Sequence, residues 1–163
     1  MKNTMSNKDF VSVEAHKGRT IAARLMPGTD LVTGIEAVCR AHYLNYGYFA
    51  SVMGSLQKAK YMIPVPNPDA PLGFKYCAPI LKEGPIELIC GQGVICQSEK
   101  GEIMIHLHAH GVTFDQENFA GHFSAGSNPV LATVDLVIVE IDGAKLMRRY
   151  DPITGLVMFS PEL

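Results

Sequence analysis

Three histidines carry the clearest chemical signal in this chain. His106 and His108 stand two residues apart in an apolar run, and His122 follows fourteen residues later. Successive side chains of a strand point to opposite faces, so His106 and His108 share one face if this run is a strand. A loop can then return the chain and bring His122 beside them. Three neutral imidazoles, with a fourth position left for water or substrate, suit a divalent metal ion, and zinc fits them best.

The same spacing leaves several interpretations open. His-X-His pairs also arise by chance, and a histidine on the solvent face of a strand needs no metal. Iron, nickel or manganese could replace zinc, because selectivity depends on geometry as well as ligand type. The three residues would suit a structural site, a hydrolase, a lyase or a binding protein, so whether the chain is an enzyme stays undecided. His110 continues the same face and is a candidate fourth ligand or acid–base group.

Glu87 is the second residue of chemical interest, because it interrupts the apolar run from Pro85 to Cys90. A carboxylate inside an apolar strand must be paired, hydrogen-bonded or shifted in its pKa. An ion pair with Arg24 would satisfy it. Glu87 could instead hydrogen-bond a metal-binding histidine or act as a general base.

Composition limits the classes of function. The chain has 163 residues, 47% of them apolar and only 18% charged, which predicts a single domain that hides part of its surface in an oligomer. The net charge of −2 disfavours a protein that works by neutralising DNA phosphates. The Gly91-Gln92-Gly93 step lies among β-branched residues with no helix after it, so no nucleotide cofactor is predicted.

Localisation is predicted from what the sequence lacks. No apolar stretch approaches the roughly 20 residues that span a bilayer, so no membrane partner is expected. Residues 1–9 are polar, without the apolar core of a signal peptide, and are predicted to be a disordered leader. The four cysteines have irregular spacing and are expected to be reduced and mostly buried. These features together predict a cytoplasmic protein.

The elements that must position the histidines are mostly strands. Helical spacing predicts one clear helix from Leu31 to Tyr43, capped by Thr29 or Asp30. The proline-rich segment from Pro64 to Pro85 is predicted to be an irregular flap, with an edge strand near Gly73–Cys77. A hairpin turn is predicted at Lys17-Gly18. The predicted strands lie at 10–14, 20–25, 48–53, 55–61, 86–96, 102–110, 130–141, 145–150 and 156–160, and Gly54 marks a bend or bulge between the third and the fourth of them. The fold class is therefore α+β: a mostly antiparallel, curled β-sheet with one main helix on it.

Four segments, taken in order, resemble the plant and prokaryote conserved (PPC) domain family. They are Arg24-Leu25-Met26-Pro27-Gly28-Thr29-Asp30-Leu31, Met53-Gly54-Ser55-Leu56-Gln57-Lys58-Ala59, Gly84-Pro85-Ile86-Glu87-Leu88, and His106-Leu107-His108 with Gly121-His122-Phe123. The resemblance covers roughly residues 18–141. It implies a single PPC-like domain over residues 10–163, an antiparallel central sheet and a homotrimer. It also implies that His106, His108 and His122 are metal ligands and that Glu87 matches the glutamate of a GPFEI-like motif.

The sequence departs from the family pattern near the site. Ala120-Gly121-His122-Phe123 stands where the family usually has Gly-Gly-His-Leu, and Asp135 replaces a usual glutamate. Prokaryotic members are often labelled as DNA-binding by analogy with plant members that carry AT-hooks, but no Arg-Gly-Arg-Pro core occurs here. Three hypotheses result: a metal-site protein that binds or acts on a small molecule, a DNA-binding or regulatory protein, and an assembly module without catalysis.

Overall fold

The computed structural model describes residues 4–7 and 9–163, which form twelve strands and one helix. The helix is α1 (Leu31–Ala41). The strands, in chain order, are β1 (Met5–Ser6), β2 (Val11–Ser12), β3 (His16–Leu25), β4 (Gly47–Met62), β5 (Pro64–Pro66), β6 (Phe74–Tyr76), β7 (Ile80–Ser98), β8 (Ile103–Thr113), β9 (Asn118–Phe123), β10 (Val130–Asp142), β11 (Lys145–Asp151) and β12 (Leu156–Glu162). This is the predicted α+β class with a mostly antiparallel sheet, and the prediction is confirmed.

The main sheet curls because the long strand β7 pairs with β8 on one side and with β4 on the other. Its order is β12-β11-β7-β8-β9-β4-β10-β3, and β7 also pairs directly with β4. The strands β7, β8, β9 and β4 therefore close on themselves. Within this sheet β11 pairs with β7 in parallel, whereas the other pairs are antiparallel. The strands β1 and β2, and β5 and β6, form two separate small hairpins.

The helix covers the core side of the sheet. Asp30 caps it by accepting from the backbone N–H of Thr33 at 3.1 Å, and Leu31, Ile35 and Cys39 are fully buried. A capping carboxylate of this kind is worth about 1 kcal/mol. The helix ends at Ala41, two residues before the predicted end, because Tyr43 adopts a left-handed φ of 53° and the chain turns there.

One sequence prediction about chain direction is wrong, and another holds only in part, with the predicted edge strand near Gly73–Cys77 present as β6. No turn occurs at Lys17-Gly18, since β3 continues through it in pairing with β10, with a bulge between Lys17 and Thr20. Gly18 lies close to β10: a Cβ on it would lie 2.7 Å from Oδ2 of Asp142 and 3.2 Å from Cβ of Glu140. The flap predicted from Pro64 to Pro85 is only partly irregular, because it contains the β5–β6 hairpin and its last residues, from Ile80, belong to β7 and pair with β4.

The chain ends and cysteines add little to the site. The predicted leader falls partly outside the described residues; Met5–Ser6 pair with Val11–Ser12, and the leader stays a prediction.

Cys39 and Cys96 are buried, Cys77 is half-buried and Cys90 is exposed, and all four are free thiols. Within the described residues, no helix has both the length and the apolar character needed to cross a bilayer.

Candidate metal centre

Alternation along β8 places His106 and His108 on the face opposite the core. Leu107 and Ala109 are buried in the core, whereas His108 is exposed and His106 is half-buried. Strand β9 pairs antiparallel with β8 and sets His122 directly across from His108. One donor nitrogen from each of these three rings lies within 4.8 Å of the other two. The structure thus brings together the three histidines that the sequence analysis singled out.

The position of His122 depends on how closely β9 approaches β4. Gly121 permits this contact, since a Cβ there would lie 2.5 Å from the ring of Tyr61 and 2.7 Å from the carbonyl oxygen of Met62. On the core side, Tyr61 stacks on Phe119 with ring centroids 5.0 Å apart and on Phe123 at 6.2 Å. These buried aromatic contacts fix β9, so that the outward residue His122 has a defined place.

The spacing of the three rings is close to what a tetrahedral metal needs. Nε2 of His106 lies 3.1 Å from Nε2 of His108, and the three ring centroids are 5.0, 5.1 and 5.3 Å apart. Two imidazole nitrogens on one tetrahedral zinc would be about 3.3 Å apart, given Zn–N bonds near 2.0–2.1 Å. In addition, Nδ1 of His122 is buried and has no hydrogen-bond partner among the residues that the structure describes. A metal that bound this ring would give the site an electron-pair acceptor that it otherwise lacks.

The electrostatics of the site keep two of the rings neutral. Burial is the main cause that lowers the pKa of His106 from 6.5 to about 4, and Arg148, His122 and His108 add to it. Burial also lowers the pKa of His122, with smaller contributions from His108 and Arg148. Metal binding requires a neutral imidazole, so neither ring has to lose a proton before it binds a metal at neutral pH.

The lowered pKa of His106 predicts how the metal-free protein responds to acid. The folded state resists protonation, so the unfolded state binds more protons between pH 6.5 and about 4. The free energy of unfolding should therefore fall as the pH is lowered through that window and stay flat above it. Urea denaturation at pH 7.5, 6 and 5 measures this, and the slope should be reduced in His106→Gln but unchanged in His16→Gln. Equal slopes in all three proteins would contradict the assignment.

Arg148 is a residue of the site that sequence reasoning missed. Its Nη1 lies 3.3 Å from Nδ1 of His106, and its Nη2 donates to the carbonyl oxygen of Val157 at 2.7 Å. A cavity of about 250 Å³ lies beside these groups. One signal was present: Arg148-Arg149 is the only adjacent basic pair in the sequence, and alternation along a strand must turn one of the two toward each face.

The two acid–base candidates lie apart from the three histidines. His110 is half-buried, and its Nε2 lies 3.0 Å from Oδ1 of Asn118. Glu87 pairs in register with Val112, four strand residues from His108, which corresponds to about 13 Å. It is exposed and forms no ion pair among the described residues, so the pairing with Arg24 is wrong. Alternation explains the error, because Ile86 and Leu88 take the buried positions, while Arg24 bonds Thr133.

The family is shown by a match to most of the chain. The Plants and Prokaryotes Conserved (PCC) domain, the family that the motifs resemble, matches residues 12–142. This chain belongs to the PPC family. All three histidines fall inside the matched range, whereas β11 and β12, which carry Arg148 and Val157, lie beyond it.

Solved structures confirm the PPC fold. A PPC protein from Pyrococcus horikoshii has a TM-score of 0.75 at 22% identity and covers 93% of this chain and 97% of its own. A metal-containing protein from Archaeoglobus fulgidus has a TM-score of 0.75 at 21% identity, covering 90% and 96%. A protein from Bacteroides thetaiotaomicron, named as a candidate DNA-binding protein, has a TM-score of 0.71 at 19% identity, covering 90% and 96%. At such identities the likeness is one of fold.

Curated relatives match this PPC domain over a small part of their own length. The bifunctional protein GlmU of Synechococcus sp. (strain JA-3-3Ab) is 25% identical over 137 residues, which are 84% of this chain and 20% of that protein. The GlmU of Synechococcus sp. (strain JA-2-3B'a(2-13)) is also 25% identical, over 132 residues. This chain therefore spans about a fifth of the length of these relatives.

Proposed function

We propose that this PPC domain binds a divalent metal ion, zinc by preference, through His106, His108 and His122, and uses it to bind or act on a small molecule. The observation that carries the proposal is the convergence of three imidazole donors within 4.8 Å of one another, two of which, His106 and His122, line a cavity. The name of the metal-containing relative from Archaeoglobus fulgidus supports it further.

The residues of the site have distinct roles in this proposal. Burial lowers the pKa of both His106 and His122, which line the cavity, while His108 is exposed and lies outside the cavity lining. Tyr76, on the β5–β6 hairpin, lies over His122 with ring centroids 5.6 Å apart and limits the access of water. A zinc ion with three histidine ligands polarises a bound carbonyl or lowers the pKa of bound water to about 7. The same site could therefore serve binding or hydrolysis.

Metal analysis tests this function directly. Wild-type protein, purified without a histidine tag and dialysed against zinc, should hold about one zinc per chain by mass spectrometry. The variant with His106→Ala and His108→Ala should hold less than a tenth of that. A matched control, His16→Ala with His42→Ala, removes two exposed histidines outside the site and should keep the wild-type value. Equal zinc in all three proteins would refute the proposal.

We also propose that the domain assembles as a homotrimer. On the sheet face beyond the histidines, Phe114 is 70% exposed and Leu131 38% exposed, and both line a hollow of about 260 Å³ with Pro85, Glu87 and Val112. Large exposed apolar residues side by side are typical of an interface. The resemblance to the PPC family favours three copies and would give Glu87 a place at a subunit contact.

Light scattering after size exclusion measures the predicted assembly. The chain of 17.8 kDa should elute at three times that mass. Phe114→Glu with Leu131→Glu places charge in the apolar hollow and should yield a folded monomer. Ile153→Glu, at a position that is 76% exposed in the turn between β11 and β12, should stay trimeric. A monomeric wild type would overturn the assembly but leave the metal proposal standing.

The DNA-binding alternative has one point in its favour, the names of two similar structures. Against it, fourteen basic residues are outnumbered by sixteen acidic ones. A DNA-binding surface needs clustered cations, because its affinity comes from the release of counterions. Duplex binding by this chain that persists at physiological salt would revive the alternative.

A further inference from the structure

Arg148 is a half-buried guanidinium beside three histidines, and it has no carboxylate within ion-pair distance among the described residues. Its contacts are the ring nitrogen Nδ1 of His106 at 3.3 Å and the carbonyl oxygen of Val157 at 2.7 Å. Both are neutral acceptors. A guanidinium held in place in this way keeps its positive charge uncompensated and retains further N–H donors.

The carboxylates near Arg148 contact other residues. Arg149, the next residue, is paired with Glu162 at 2.7 Å and with Glu99 at 3.6 Å. Glu102 accepts from the hydroxyl of Ser98 at 3.3 Å. Glu99 and Glu102 border a second hollow that Arg148 also lines, but neither carboxylate comes within 4.0 Å of the Arg148 guanidinium. The two adjacent arginines therefore differ: Arg149 is part of an ion-pair network, and Arg148 is not.

The cavity of about 250 Å³ that Arg148 shares with the histidines is otherwise apolar. Its walls contain no carboxylate and no basic group besides Arg148 and the histidines; they are formed by Met62, Phe74, Tyr76, His106, His122, Arg148, Leu156, Val157 and Met158. This volume equals about eight waters at their liquid density. An apolar cavity with a few convergent polar groups at one end is the usual form of a small-molecule site.

The charges at this end of the cavity require an anion if a metal binds, and this step rests on the proposed function. A divalent ion on three neutral imidazoles next to Arg148 would make a group of charge +3 without a protein carboxylate to balance it. A metal-bound imidazole usually carries a hydrogen on its other nitrogen, which it donates to an acceptor. For His106 that hydrogen would face the N–H groups of Arg148. An anionic acceptor that lies beside both groups and accepts from each would remove this conflict and lower the cost of burying like charges.

We propose that the cavity binds a small carboxylate with an apolar body, whose carboxylate pairs with Arg148 and whose body lies against Phe74, Tyr76 and Leu156. A planar guanidinium matches a carboxylate in two-point geometry. A phosphate ester carries more charge and is usually bound by several protein cations or backbone N–H groups, whereas Arg148 is the one arginine or lysine among the residues that line this cavity. The ligand class is therefore a monoanionic carboxylate of metabolite size.

An NMR titration of the full chain tests the ligand class. The probes are acetate, isobutyrate and benzoate, each compared with its amide, together with inorganic phosphate. We expect at least one carboxylate to bind saturably and at least 10-fold tighter than its amide and than phosphate, with backbone shifts at Tyr76, Arg148 and Leu156. If no carboxylate exceeds its amide, or if phosphate binds tightest, the inference is wrong.

Variants assign the effect to Arg148. Arg148→Met should lose at least 10-fold in carboxylate affinity, and Arg148→Lys should retain part of it. Arg149→Met removes the same charge one residue away and should stay within about 3-fold of wild type. Thermal unfolding confirms which variants are folded; if Arg148→Met is not, the Arg148→Lys protein carries the comparison. Equal carboxylate affinity in wild type and the folded Arg148 variant would overturn the inference.

Titrations with and without zinc separate this inference from the proposed function. Wild-type protein that takes up zinc but shows no preference that depends on Arg148 would keep the metal site and refute the carboxylate site. Protein that takes up no zinc but binds carboxylates through Arg148 would keep the carboxylate site and refute the metal site. In zinc-loaded protein, carboxylate binding that survives in Arg148→Met would assign the anion to the metal alone and refute the role of Arg148.

Discussion

His122→Ala is expected to weaken zinc binding by at least about 100-fold. Loss of a hydrogen-bond partner to a metal ligand already costs 10–100-fold in affinity, so loss of a ligand should reach or exceed the upper end. His122 is the ligand that β9 supplies, in register with His108, and the two remaining histidines both lie on β8. Two ligands from a single strand leave half of a tetrahedral site open. Competition titration against a chromophoric chelator measures the change.

His110→Ala is the matched control for this prediction. His110 lies on the same face of β8 but contacts Asn118 and does not belong to the three-histidine group. Its removal should leave the zinc affinity within about 3-fold of wild type. An unchanged affinity in His122→Ala, or a loss in His110→Ala as large as that in His122→Ala, would mean that the ligands have been assigned wrongly.

Gly93→Ala is expected to destabilise the fold by about 3 kcal/mol or more and to impair zinc binding with it. Gly93 on β7 lies opposite β8, and a Cβ there would sit 1.8 Å from the carbonyl oxygen of His106 and 2.9 Å from its carbonyl carbon. Both atoms are backbone, so they cannot rotate away as the end of a side chain could. The two strands must separate at the residue that carries a metal ligand. Urea denaturation measures the cost, and the zinc titration measures the effect on the site.

Gly101→Ala separates this clash from the general effect of replacing a glycine. Gly101 has a left-handed φ of 79°, and a Cβ there would have open space around it. Its replacement should cost only about 1 kcal/mol, from backbone strain, and should leave zinc binding intact. Similar losses in the two variants would show that the close approach of β7 and β8 at His106 does not control the site.

The sequence predicted the elements that depend on local patterns. The alternation of Leu107 and Ala109 with the histidines indicated which way β8 faces, and Asp30 marked the start of α1. Both patterns act within one element, where the periodicity of side chains decides burial. To predict the joint position of His106, His108 and His122, one further step was needed, the return of β9 beside β8. Because the connection between these two strands is short, a hairpin is the simplest arrangement.

Reasoning from local patterns could not predict how strands that are distant in the sequence pair with one another. The continuation of β3 through Gly18 depends on its partner β10, and the strand character of residues 80–85 depends on β4. Glu87 interrupts an apolar run, yet it is exposed because only one face of β7 is buried there. Arg148 reaches His106 through the pairing of β11 with β7, 42 residues away along the chain. Such contacts are set by register between distant strands, which a single sequence does not reveal.

X-ray absorption at the zinc edge of the dialysed wild-type protein tests the central claim most directly. The account predicts about one zinc per chain with three imidazole nitrogens at about 2.0–2.1 Å and a fourth light-atom ligand. The multiple scattering that imidazole rings produce should be lost in the variant with His106→Ala and His108→Ala. A shell that contains sulfur, a shell of oxygen atoms without imidazole scattering, or protein that retains no zinc would contradict it.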